Sequence, residues 1–195
     1  MKLCGLTGGV GMGKSTAAGF FLQHGARVVD TDDLARDLVQ PGQPALAEIQ
    51  REFGNDLVAA DGQLKREELA RLVFADAVAR KKLEALLHPR IRQRWQAQVQ
   101  AWRAEGCPVA LVAIPLLFET GAESHFDKVI CVACSPAGQH ERLQARGWAA
   151  DQIRGRIAAQ WPVEHKMARS HFVIWTEGAL DSHRRQAGEI FKKLC

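Results

Sequence analysis

Short apolar runs alternate along this chain with longer stretches in which apolar positions recur every three or four residues. The runs Leu3–Leu6, Arg27–Asp30, Val109–Ile114, Lys128–Ala133 and Phe172–Trp175 read as strands. Helical spacing is found at about Lys14–His24, Asp32–Val39, Pro44–Phe53, Arg66–Phe74, Ala77–Arg103, Ala137–Arg146, Asp151–Gln160 and Leu180–Leu194. Several strands lack polar alternation, as expected where helices cover both faces of a parallel sheet. The pattern predicts an α/β fold built on a five-stranded parallel sheet with right-handed crossovers. Two segments exceed a simple crossover: residues 39–103 carry several helices and no convincing strand, and residues 136–168 are helical and arginine-rich. The expected organisation is one domain over residues 1–195, with a core of 1–38, 104–135 and 169–195. A helical insertion of about 39–103 and a lid of about 136–168 are placed over the carboxyl edge of the sheet, where open α/β sheets bind ligands.

The first strand runs into Gly8-Gly9-Val10-Gly11-Met12-Gly13-Lys14-Ser15, which satisfies G-x-x-x-x-G-K-[ST] between a strand and a helix-capable segment. Glycines there allow successive backbone N–H groups to curl around a phosphate, and the following helix turns its positive end to the same anion. Lys14 is expected to reach the β- and γ-phosphates, Ser15 to ligate Mg²⁺ and Thr16 to assist at the α-phosphate. A dinucleotide fingerprint fails, because its third glycine would have to fall at Thr16. The segment is read as a P-loop for ATP or another nucleoside triphosphate.

Composition narrows the class without changing the picture. Hydrophobic residues make up 47% and charged residues 25%, with a net charge of +4, a balance suited to small phosphorylated ligands rather than nucleic acid. No basic tract, signal segment or membrane-length apolar run is visible, so a cytoplasmic location is expected. Five cysteines are scattered, and the Cys131–Cys134 pair lies in "KVICVAC", a strand-like context without a second pair to complete a zinc site.

A P-loop alone leaves the chemistry open. No aspartate is followed by glycine at the third position, and N-K-x-D is absent, which argues against a GTPase switch. The strand "PVALVAI" reaches Pro115 without the acid a motor ATPase would place there. The second strand ends in Asp30-Thr31-Asp32, at the carboxyl edge beside the P-loop. Phosphoryl transfer to an alcohol gains from a carboxylate that takes the hydroxyl proton. Asp32 is the candidate base, although Asp32 or Asp33 also suits a helix cap; Asp30 is the candidate holder of Mg²⁺ through water.

On these residues the chain resembles the dephospho-coenzyme A kinases. "LTGGVGMGKST" and "VVDTDDLARDLVQPG" are similar to the opening and the D-x-D segment of that family. "FGNDLVAADGQLKREELARLVF" resembles its D-G-x-L-x-R-x-x-L stretch, "LLHPRI" its His-Pro pair, and "PLLFE", "QHERLQAR" and "RIAAQ" complete the pattern. The resemblance implies transfer of the γ-phosphoryl of ATP to the ribose 3′-hydroxyl of dephospho-CoA, with Asp32 as base and Gly11 to Thr16 on the ATP loop. It also implies that the helical insertion receives the acceptor, with Arg36, His88 and Arg90 towards its pyrophosphate or pantetheine side and Leu116, within "PLLFE", against it. Two positions depart from the family. Thr176 stands where an asparagine is usual, towards the adenine, and Ala113 where many members have aspartate. Outer-shell support for Mg²⁺ then falls to Asp30, or to Glu119 if that carboxylate points inward.

Arg142, in "QHERLQAR", matches a fixed arginine of the family and could neutralise charge on the transferring phosphoryl. Arg146, Arg154 and Arg156 share its segment. Pro89 removes a helix hydrogen bond and is expected to kink its helix. The alternatives are a shikimate- or nucleotide-type kinase, or a nucleotide-dependent switch or binding protein. Beyond the small-molecule acceptor no nucleic acid or membrane partner is expected, and the chain is read as a monomer or small homo-oligomer.

Overall fold

Five strands, β1 (Lys2–Gly8), β2 (Arg27–Asp30), β3 (Val109–Ala113), β4 (Lys128–Ala133) and β5 (Phe172–Trp175), form one sheet in the computed structural model, which describes residues 1–195. All neighbours run parallel, in the order β2-β3-β1-β4-β5. The expected five-stranded parallel sheet is thus present. Nine helices join the strands: α1 (Lys14–Gln23), α2 (Thr31–Leu38), α3 (Pro44–Phe53), α4 (Arg66–Ala75), α5 (Ala77–Ala104), α6 (Pro136–Ala145), α7 (Ala150–Ala158), α8 (Val163–Arg169) and α9 (Leu180–Leu194). No helix is long and apolar enough to cross a membrane. The central strand is β1, so the segment leaving its carboxyl end emerges between the ends of β3 and β4.

Contacts divide the chain into two compact units, residues 1–30 with 99–195, and residues 31–98. The first unit holds the sheet. Its β3 is buried at every position, which is why that strand reads as an unbroken apolar run. One face of β1 and β3, carrying Cys4, Leu6, Val109, Leu111 and Ala113, packs with Phe20 and Phe21 of α1 and Ala187, Ile190 and Leu194 of α9. On the other face Gly5 lies under Leu117 and Phe126. A Cβ on Gly5 would stand 2.4 Å from Leu117 Cδ1, so the absence of a side chain sets how closely the loop after β3 approaches the sheet.

The second unit is helical and has its own core: Val39, Ile49, Leu57 and Leu69, with Phe53, Leu64 and Leu83 packed against them. Helix α3 starts with Pro44 at its first turn, where a missing N–H costs nothing. The Asp61-Gly62 stretch is a tight turn: Val58 and Leu64 form an antiparallel bridge, and the Asp61 carboxylate accepts from the Gln63 N–H at 3.0 Å. Helix α5 continues through Pro89 over 28 residues. Arg90 in the next position donates from its guanidinium to the Leu86 carbonyl at 2.6 Å.

Phe21 is fully buried at the centre of the α1–sheet–α9 core. Replacing it by alanine removes a ring that its rigid surroundings cannot refill. Phe21→Ala is expected to cost about 3–5 kcal/mol in urea unfolding, and a loss below about 1 kcal/mol would contradict the packing described.

Candidate active site

The chain must leave β1 and enter α1 within five residues, Gly9 to Gly13. Gly13, immediately before α1, has φ of +95°, a left-handed conformation that an L side chain resists. At the other end, a Cβ on Gly8 would stand 2.3 Å from the Val132 carbonyl oxygen. Gly8 therefore lets the loop begin hard against β4. The helix that follows has no acidic residue in its first turn and no side-chain cap, so its first N–H groups are left for an outside acceptor. Ser15 and Thr16 are exposed in that turn.

Lys14 begins α1, and its ammonium lies 2.8 Å from Asp30 Oδ2 at the carboxyl end of β2, with both side chains mostly shielded. Because β2 and α1 belong to the same unit, two of the residues singled out from sequence meet directly. Ala113 ends β3 beside Asp30 in register. It brings no carboxylate to that edge.

The loop is also held from outside. Val10 N–H donates to Gln160 Oε1 at 2.9 Å, Gln139 Nε2 donates to the Val10 carbonyl at 2.7 Å, and Thr176 Oγ1 donates to the Met12 carbonyl at 2.8 Å. Arg142, in α6, donates from Nη1 to Thr176 Oγ1 at 2.8 Å and from Nη2 to the Thr176 carbonyl. Its guanidinium is thus tied to the residue that follows β5. A cavity of about 450 Å³ opens beside the loop, lined by Gly11, Gly13, Thr16, Arg142, Arg146 and Thr176 among others. Trp161 is elsewhere: it stacks on Phe118, and Arg169 lies over both rings.

Glu119 points inward. Its Oε1 receives the ammonium of Lys166 at 2.8 Å and the Trp161 N–H at 2.8 Å, while Oε2 is buried without a hydrogen bond. Lys166 is fully buried and also donates to the Pro115 carbonyl at 2.9 Å, an oxygen shared with the Thr7 hydroxyl at 3.1 Å. A buried ammonium needs such partners, and here they join α8 to the loop after β3 and to the start of the P-loop. Leu116, in that same loop, is half-buried.

Ser135 caps α6 by accepting from the Gly138 N–H at 3.1 Å, and its hydroxyl donates to Glu177. That hydrogen bond holds the Glu177 carboxyl below the ordinary carboxylate range. Cys131 lies in β4, where burial pushes its thiol up to about 12, and burial also raises the adjoining Cys134. Both thiols are free, and no group of three His, Cys, Asp or Glu residues is placed to hold a metal.

Asp32, Arg36, His88 and Arg90 belong to the helical unit. Asp32 is exposed in the first turn of α2. Arg36 pairs with Asp33 at 2.8 Å, and its carbonyl accepts from Arg66 at 3.4 Å. Arg90 pairs with Glu48 at 2.6 Å, and His88 is exposed. Sequence reasoning passed over Lys166 and α8, and assigned no work to Gln139 or Gln160. The two glutamines were marked only by their place in family-like stretches.

A family model described as dephospho-CoA kinase matches residues 2–182. Dephospho-CoA kinases of Anaeromyxobacter dehalogenans and Bdellovibrio bacteriovorus are 43% and 41% identical, over 100% of this chain and 92% and 96% of theirs. Among solved structures, TT1252 from Thermus thermophilus aligns with a TM-score of 0.87 at 32% identity, covering 100% of this chain and 98% of that one. The dephospho-CoA kinase of Campylobacter jejuni aligns at 0.72 and 24% identity, covering 98% and 96%, a likeness of fold. With a P-loop built as described and relatives matched over nine-tenths or more of their length, this chain belongs to the dephospho-CoA kinase family.

Proposed function

We propose that the chain transfers the γ-phosphoryl group of ATP to the ribose 3′-hydroxyl of dephospho-CoA, giving coenzyme A and ADP. The observation that carries this reading is the P-loop itself, with Lys14 held at 2.8 Å from Asp30, in a chain that the family model spans over residues 2–182.

Gly8, Gly9, Val10, Gly11, Met12, Gly13, Lys14, Ser15 and Thr16 bind the triphosphate, chiefly through main-chain N–H groups and the positive end of α1. Lys14 is paired with Asp30. On binding, its ammonium turns towards the β- and γ-phosphates, where charge grows during transfer. Arg142 completes the positive side, and residues 136–168, which carry it, act as a lid that keeps water from the γ-phosphate.

The residues fit Mg²⁺. Ser15 offers an exposed hydroxyl and Asp30 a carboxylate, both hard oxygen donors, and the chain lacks a cage of its own, as suits an ion bound largely by phosphate and water. Bound there, the ion would offset the negative charge of the phosphates. Glu119 is held by fully buried Lys166 and by the Trp161 N–H, whereas Asp30 is released when Lys14 turns to the phosphates, so Asp30 is the better support for a metal-bound water.

Asp32 follows Asp30 by two residues and stands in the first turn of α2, which begins Thr31-Asp32-Asp33. It accepts the proton of the acceptor hydroxyl as that oxygen attacks phosphorus. Arg36, His88, Arg90 and Leu116 contribute to acceptor binding, the arginines by meeting its phosphates.

Purified protein with Mg-ATP and dephospho-CoA is expected to release ADP and yield a product heavier by one phosphoryl group. Transfer to shikimate or a nucleotide, and not to dephospho-CoA, would overturn the reading. Lys14→Ala is expected to lower kcat by about 10²-fold or more; an unchanged rate removes the P-loop assignment. Asp32→Asn is expected to lower kcat by about 10²–10⁴-fold with ATP binding retained, and near-normal turnover would remove Asp32 as base.

A further inference from the structure

A glycine-rich loop can receive phosphate only while its N–H groups point the right way, and glycine itself does little to keep them there. Each peptide is planar and trans, so its N–H and C=O point in opposite directions. Flipping one plane therefore exchanges a donor for an acceptor. At Gly11, where φ is +76°, no Cβ opposes such a flip.

Two successive planes around Val10 are held by side chains remote in sequence. The plane joining Gly9 and Val10 has its N–H on Gln160 Oε1, at 2.9 Å, and its carbonyl taken by the Met12 N–H, at 3.2 Å. The plane joining Val10 and Gly11 has its carbonyl on Gln139 Nε2, at 2.7 Å, which directs the Gly11 N–H to the opposite side. Gly11 lines the cavity beside the loop. The orientation of each amide follows from its partner: a backbone N–H requires an oxygen, and a carbonyl requires a donor.

The glutamines stand on firm ground. Gln139 is buried in the first turn of α6, which Ser135 caps. Gln160 directly precedes Trp161, whose N–H is held by the Glu119 carboxylate paired with buried Lys166. We propose that Gln139 and Gln160 are positioning residues that lock these two peptide planes and so keep the Gly11 N–H available to the polyphosphate of ATP. The inference rests on the P-loop being the ATP site, as proposed above. Removing the lock lets the loop populate flipped states, and ATP affinity falls by the fraction of time spent in them.

The bonds have opposite polarity, and this makes the idea testable. Gln139 must donate and Gln160 must accept. Glutamate can replace Gln160 as an acceptor but not Gln139 as a donor, and lysine can donate from position 139 but not accept at 160. Calorimetric titration with ATP is expected to give a Kd about tenfold weaker for Gln139→Glu than for Gln160→Glu. With lysine the order reverses, Gln160→Lys being about tenfold weaker than Gln139→Lys. Comparing sites within one residue type cancels the attraction or repulsion that the new charge exerts on phosphate. Should one pair fail to fold, the other still reports its own predicted order. A site order that is the same for both residue types, or no difference between sites, would overturn the lock. Kd is read directly, so the lock stands or falls even if the protein proves not to phosphorylate dephospho-CoA; an unaltered protein that binds no ATP overturns both.

Discussion

Turning a parallel strand into a helix within five residues, while leaving a concave row of N–H groups, is a demand that only a glycine-rich backbone meets. The rest of the first unit is arranged around that demand. Gly8 must press against β4, where any Cβ would collide with the Val132 carbonyl. Gly13 must take a left-handed conformation to start α1. Flexibility of this kind is a weakness in a site that has to be the same at every turnover. The bonds that Gln139, Gln160 and Thr176 make to Val10 and Met12 supply from neighbouring elements what the loop lacks.

The charges are arranged in the same spirit. Lys14 has a carboxylate within 2.8 Å, and Arg142 has the hydroxyl and carbonyl of Thr176. The fully buried Lys166 is tied to Glu119 and Pro115, and through that carbonyl it meets Thr7, one residue before the loop. Breaking such a buried pair by removing one partner strands the other, which generally costs more than the intact pair contributes. Its value here lies in joining α8, the loop after β3 and the root of the P-loop.

Much of this architecture was legible in the residues. Strands covered on both faces leave unbroken apolar runs, so β3 and β4 were plain from "VALVA" and "KVICVA". The P-loop was legible because its spacing and its strand-to-helix context are both demanding. Helix α8 was not, because its seven residues are mostly polar and its one fully buried side chain is a lysine. A buried lysine is invisible to any rule that equates charge with exposure. The roles of Gln139 and Gln160 could not be read either, since their partner lies 129 and 150 residues away. Pro89 lies inside α5, which runs on as one helix over nearly the span that the apolar spacing gave.

The cysteines lead to a practical corollary. Cys4, Cys131 and Cys134 are shut inside the sheet unit, where burial raises all three thiols, Cys4 and Cys131 to about 12, so they carry almost no thiolate at neutral pH. Cys195 alone is fully open to solvent, at the far end of α9. A maleimide fluorophore would accumulate at that tail, leaving the nucleotide pocket unlabelled and giving the molecule a ready-made point for attachment or distance measurement.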